Sequence, residues 1–177
     1  MTKARVATVW MDGCSGCHMS FLDMDERLLD LADRMDLVYS PLVDLKEFPL
    51  EVDVAIIEGS VSSEEDLEKL YHVRSRTKVL VSLGDCAVTA NVPSMRNPFD
   101  LDCVLRRGYE ENADVNRQVP VENVPRLLPR ARPLHEFVKV DVFVPGCPPS
   151  ADLIHFVVSE LLEGRTPELA GQCRFGA

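Results

Sequence analysis

The sequence has no apolar run approaching the ~20 residues that cross a bilayer, so a transmembrane segment is excluded. It has no surplus of basic charge: 19 Lys and Arg stand against 29 Asp and Glu, for a net charge of -10. A nucleic-acid surface needs basic patches, and an anionic membrane face would repel such a chain; a protein partner stays open. There is no GxxxxGK[ST] phosphate loop and no nucleophile elbow, so nothing points to a phosphate-loop nucleotide site or to a Ser–His–Asp mechanism. The opening residues MTKARVATVWMDG contain neither an apolar signal stretch nor a twin arginine, so a cytoplasmic location is expected. Internal repeats and low-complexity tracts are also missing. With 177 residues, 46% of them hydrophobic, a single domain over residues 1–177 with a sizeable core is expected.

What is present alternates between short β-branched runs and helical stripes. ARVATVW (4–10), LVYS (37–40), VDVAIIEGS (52–60), KVLVSLGDC (78–86) and VKVDVFVPGC (138–147) read as strands. Helices are expected from Ser20 to Met35, where residues 21, 24, 28, 31 and 35 form an apolar stripe, and over 62–76, with a Ser cap, acids first and bases last. A closing helix is expected over 148–164, between a leading Pro and a final Gly. Alternation of this kind predicts an α/β fold: a flavodoxin-like, doubly wound parallel sheet of strand order 2-1-3-4-5. The exception is a long irregular insertion before the last strand, about 93–137, which holds six prolines and little periodicity. Part of it, ENADVNRQV (111–119), could be helical. An insertion of this length reads either as a surface excursion or as an arm that docks a partner.

Six cysteines in a chain expected to be cytoplasmic suggest metal binding or redox chemistry rather than structural disulfides. Cys14 and Cys17 follow the first predicted strand, Cys86 ends the fourth, and Cys147 ends the fifth. All four fall at the carboxyl edge of the predicted sheet, where open α/β sheets build their sites. Four converging thiolates can hold zinc or an iron–sulfur cluster; one CxxC joined to two distant lone cysteines favours the cluster. A thioredoxin-like disulfide at CSGC would leave Cys86 and Cys147 unexplained. Gly13, Gly16, Gly84 and Gly146 flank the thiols and would let backbone approach a bulky group. Cys103, in the insertion, and Cys173, after the last helix, read as free thiols. His18 is either a neighbour of the cluster or an ordinary helix-start residue. Glu58, ending the third strand, is either a proton carrier or a solvated turn carboxylate. His72, His135 and His155 are isolated.

The stretches VWMDGCSGCHMSFLDMDERL, VAIIEGSV, LGDCAVTANVPSMRN and DVFVPGCPPSADLI together resemble the small subunit of [NiFe] hydrogenases, most closely the cytoplasmic NAD-reducing (bidirectional) type. The resemblance implies that Cys14, Cys17, Cys86 and Cys147 hold one [4Fe–4S] cluster and that Glu58 approaches the cluster and the large subunit; a carboxylate so placed is a candidate to relay protons between the Ni–Fe site and solvent. It implies an oxidoreductase subunit whose Ni–Fe catalytic centre sits on a separate large subunit. Electrons would pass through the cluster to a diaphorase module, of flavin and iron–sulfur subunits, that reduces NAD. Flavin mononucleotide has been considered near the large subunit in this fold, but no motif here marks it. The homologous complex I subunit carries adjacent cysteines at the first site, whereas Ser15 and Gly16 separate them here. Periplasmic relatives add a domain with two more clusters, and F420-linked relatives add ferredoxin-like cysteine motifs; neither feature is found in this sequence.

Overall fold

The computed structural model describes residues 3–173, 175 and 176. Five parallel strands form the central sheet: β1 (Ala4–Trp10), β2 (Met35–Tyr39), β3 (Val52–Glu58), β5 (Thr77–Leu83) and β7 (Val142–Val144). Their order, β2-β1-β3-β5-β7, is the predicted flavodoxin-like one. Two further strands, β4 (Val61–Ser63) and β6 (Leu127–Arg132), pair antiparallel as a separate ribbon.

Alternation along the strands sends side chains to two cores. One gathers Val6, Val54, Ile56 and Val81 under α1 (Gly16–Leu22), α2 (Arg27–Ala32) and α6 (Ala151–Leu162), with Phe21, Leu31, Ile154 and Val157 as the helix contributions. The other gathers Ala7, Val9, Ala55, Ile57 and Leu80 under α3 (Glu64–Ser75) and α4 (Gly84–Thr89), with Leu70, Val73 and Ala87 facing them. A parallel sheet must be covered on both faces, and these helices supply the two layers.

Several local expectations are corrected. The helix expected over 20–35 is two short helices, because the chain turns at 23–26 with Asp25 at φ 50. The strand expected to reach residue 60 stops at Glu58, and Gly59 at φ 85 redirects it into β4. A Cβ at Gly59 would lie 2.7 Å from the Met11 carbonyl carbon, so only glycine fits that crossing. The strand expected over 78–86 ends at Leu83, and Cys86 sits inside α4. The helix considered for 111–119 does not form, and no residue from 112 to 119 is helical. Instead α5 (Leu101–Arg106) continues as a wide helical turn through Glu111.

The insertion is less irregular than its prolines suggest, because it contains α5 and β6. Arg96 donates to the carbonyls of Ser62, Leu128 and Pro129, and Asn97 exchanges two hydrogen bonds with the Ala131 backbone. Side chains thus bind the start of the insertion to the β4–β6 ribbon. Helix α3 starts with a reciprocal cap, in which Ser63 Oγ accepts from the Asp66 N–H while Asp66 accepts from the Ser63 N–H. No helix among the described residues is long and apolar enough to cross a membrane.

Candidate metal centre

Strand register builds the site. Trp10 stands opposite Glu58, Glu58 opposite Leu83, and Leu83 opposite Val144, so four strands end on one line. Cys86 and Cys147 each follow that line at the same offset, from 83 to 86 and from 144 to 147. Cys14 and Cys17 lie in the loop and first helical turn after Trp10. That loop is pinned to the end of β3, since Asp12 N–H donates to Ser60 O at 3.1 Å and Ser60 N–H to Asp12 O at 2.7 Å.

The four thiols act on one another. Burial pushes the Cys17 thiol well above its ordinary range, and the Glu58 carboxylate and the other three cysteines add to the shift. Burial also raises Cys86, against a hydrogen bond from the Val92 N–H, with Cys14, Cys147 and Asp12 reinforcing the rise. All six cysteines are free, and Cys14 and Cys147 are exposed. Asn91 Nδ2 approaches Cys147 Sγ at 3.6 Å, and Ser20 Oγ donates to Pro149 O at 2.5 Å, tying α1 to the loop after Cys147.

Among the described residues, no three His, Cys, Asp or Glu side chains are arranged to hold a single metal ion. Gly84 shows how closely backbone approaches the thiols: at φ 82, a Cβ there would lie 2.2 Å from Cys17 Sγ. Four thiols with glycine backbone close beside them are a donor set that suits an iron–sulfur cluster. A concavity of about 620 Å³ lies elsewhere, between β6 and the turn after α4, and none of the four cysteines lines it.

Glu58 is not a solvated turn residue, being only 2% exposed. Its Oε2 accepts the His18 backbone N–H at 2.9 Å. Its Oε1 lies 3.2 Å from His18 Nδ1, within ion-pair range but not aligned as a hydrogen bond. The buried His18 ring stacks on Trp10 at 5.9 Å between centroids. Cys103 lies exposed on α5, and Cys173 is half-buried against the first core with its thiol directed at Leu169 O, so neither joins the four. Two participants went unnoticed in the sequence: Asp85, buried between Gly84 and Cys86, and Asn91. The acid inside GDC, set between a glycine and a cysteine at the sheet edge, was the available signal for the first.

Fold and site together define a flavodoxin-like domain that presents four cysteines at the carboxyl edge of its sheet. The chain belongs to the family described as NADH ubiquinone oxidoreductase, 20 Kd subunit, whose model matches residues 14–161. It is 44% identical over 172 residues to the NAD-reducing hydrogenase HoxS subunit delta of Cupriavidus necator, covering 94% of this chain and 82% of that one. It is 40% identical to one subunit of the F420-non-reducing hydrogenase of Methanothermobacter marburgensis, covering 94% of this chain but only 56% of that one. Among solved structures it superposes on a chain of an NAD+-reducing [NiFe]-hydrogenase in the H2-reduced state with a TM-score of 0.94 and 38% identity, over 99% of this chain and all of that one. A [NiFeSe] hydrogenase from Desulfovibrio vulgaris shares the fold at a TM-score of 0.61 and 19% identity.

Proposed function

We propose that this chain is the electron-transfer small subunit of a cytoplasmic NAD-reducing [NiFe] hydrogenase (H2 + NAD+ to NADH + H+). In this reading it stands between a large subunit that carries the Ni–Fe centre and a diaphorase module of flavin and iron–sulfur subunits. Cys14, Cys17, Cys86 and Cys147 hold one [4Fe–4S] cluster, which, when bound, supplies a one-electron carrier between those partners. The observation that carries the reading is the convergence of four thiols on one register-matched sheet edge, in a chain of this family.

The remaining residues have defined tasks. Gly84 leaves room beside Cys17. The Val92 N–H on Cys86 and the Asn91 amide on Cys147 donate to sulfur, which tunes a cluster's potential. Cys14 and Cys147 are exposed, and so are the apolar Trp10, Met19 and Val92, which lie near the cysteines in sequence. Such a surface is costly to leave in water, and the large subunit is its proposed cover. The chain is read as one domain whose arm, at about 93–137, extends this docking face; Tyr109, Val115, Val121 and Val124 are exposed along it.

Anaerobic purification of the co-expressed complex tests the reading. It should yield about four irons per copy of this chain, a nickel-containing partner and hydrogen-dependent NAD+ reduction. Stoichiometric zinc, a reversible Cys14–Cys17 disulfide without metal, or a partner free of nickel would each refute it. Glu58 is assigned the proton relay in the same reading, because it is a buried carboxylate with one oxygen free of hydrogen bonds at the thiol edge. Glu58→Gln should slow H/D exchange and leave cluster spectra intact; unchanged exchange removes the role.

A further inference from the structure

Asp85 is buried, 4% exposed, one residue before Cys86, and no Lys, Arg or His among the described residues forms an ion pair with it. A carboxylate is stable in such a place only when hydrogen bonds replace its water. Its backbone N–H donates to Gly146 O at 2.8 Å, and its Oδ1 accepts the Gly146 N–H at 2.7 Å. This reciprocal pair closes a ring between the residue before Cys86 and the residue before Cys147. Its Oδ2 accepts the Gly176 N–H at 2.7 Å, from a segment 91 residues away in sequence. That segment leaves α6 and packs Leu169 and Cys173 against the first core on its way back to the thiol edge. Thr89 Oγ1 donates to the Asp85 carbonyl at 2.8 Å and holds the helical end of the arrangement.

We propose that Asp85 is a positioning residue that fixes Cys86 relative to Cys147, and that the segment ending at Gly176 is a strap completing the clasp on its second oxygen. The inference rests on the reading that these cysteines share one cluster. Both carboxylate oxygens accept from N–H groups, so asparagine fails here: its amide would turn a donor toward one of the two N–H groups. The strap and the ring share a single carboxylate, so their contributions are coupled rather than independent.

The experiment compares four chains in the assembled complex: unaltered, Asp85→Asn, a chain ended at Cys173, and the two changes combined. Iron release to a chelator should be roughly tenfold faster in Asp85→Asn and a few-fold faster in the shortened chain, the scale set by charged hydrogen bonds. The combined chain should release iron no faster than Asp85→Asn alone. The midpoint potential should rise in Asp85→Asn, which removes a negative charge beside a ligand, and move less in the shortened chain, which keeps it. Alkylation of Cys86 and Cys147 in metal-free protein should accelerate in the same order. Additive effects, or alkylation and potential that neither change moves, overturn the clasp. An unaltered complex without cluster iron would instead overturn the cluster reading, and alkylation of the metal-free chains would still decide the clasp.

Discussion

Substitution of Gly84 by alanine should disrupt the thiol site more than its single added methyl group suggests. Gly84 adopts φ 82, a left-handed conformation that costs a residue with a Cβ roughly 1–2 kcal/mol. The new Cβ would lie 2.2 Å from Cys17 Sγ. Ordinary contacts between such atoms are about 3.5–4 Å, so the sulfur must withdraw by more than about 1 Å. That exceeds the roughly 0.5 Å within which a functional constellation tolerates displacement. The backbone cost alone should lower the melting temperature by about 2–8 °C for a chain of this size. Iron per chain after anaerobic purification is the direct assay, and it should fall by more than half in the Gly84→Ala protein. Gly108→Ala is the matched control: a Cβ there meets nothing within 4 Å, and glycine inside a helical turn is itself slightly destabilising. It should keep full iron and unchanged or slightly raised stability. Full iron and unaltered cluster spectra in Gly84→Ala would refute the argument that Cys17 is held against this backbone.

Three further outcomes follow from other parts of the chain. Ser63→Ala removes half of the reciprocal cap of α3 and should cost about 1 kcal/mol in urea denaturation, with no loss of iron. Asp141 accepts from the Leu80 N–H at 2.9 Å and from Arg74 at 2.7 Å. Burial alone would raise its pKa, but these bonds, with Lys139, hold it below the ordinary carboxylate value. A depressed folded-state pKa stabilises at neutral pH and ceases to as the pH falls through it. Asp141→Asn should therefore be less stable at pH 7, with the difference shrinking as the pH falls through and below the ordinary carboxylate range, measured by denaturation across pH. Cys103→Ser and Cys173→Ser should each retain full iron; loss of iron from either would remove its assignment as a free thiol.

Much of the sheet was legible because a parallel strand buried on both faces has a strong signature. VAII in β3 is continuous apolar sequence, and its register against Val6–Trp10 and Val79–Leu83 follows from burying both faces. The ends of β1 matched the expected 4–10, but the break in the 20–35 helix and the ends of β3 and β5 were not legible, because they depend on backbone turns that composition does not specify. Nothing in DMDER announces that Asp25 takes a positive φ and splits the helix, and Gly59 and Gly84 end their strands through contacts with Met11 and Cys17 far away in sequence. Strand β6 was hidden for a related reason. LLPRAR contains a proline and two arginines, and it becomes a strand by pairing with Val61–Ser63 and by the side-chain bonds of Arg96 and Asn97.

The placement of the four cysteines was legible as topology, and the charge around them was not. Glu58 read equally well as a solvated turn acid, and Asp85 did not stand out, yet both are buried at the edge where the thiols gather. Each accepts backbone N–H groups: Glu58 from His18, Asp85 from Gly146 and Gly176. Burial and the neighbouring acidic groups raise the Cys17 and Cys86 thiols, so without metal these two remain protonated at neutral pH. Four thiolates together with two buried carboxylates would repel one another in a medium of low dielectric. A positively charged metal core removes that conflict, and its insertion must displace the thiol protons. Loading of the site should therefore release protons, with an affinity that climbs as the pH rises.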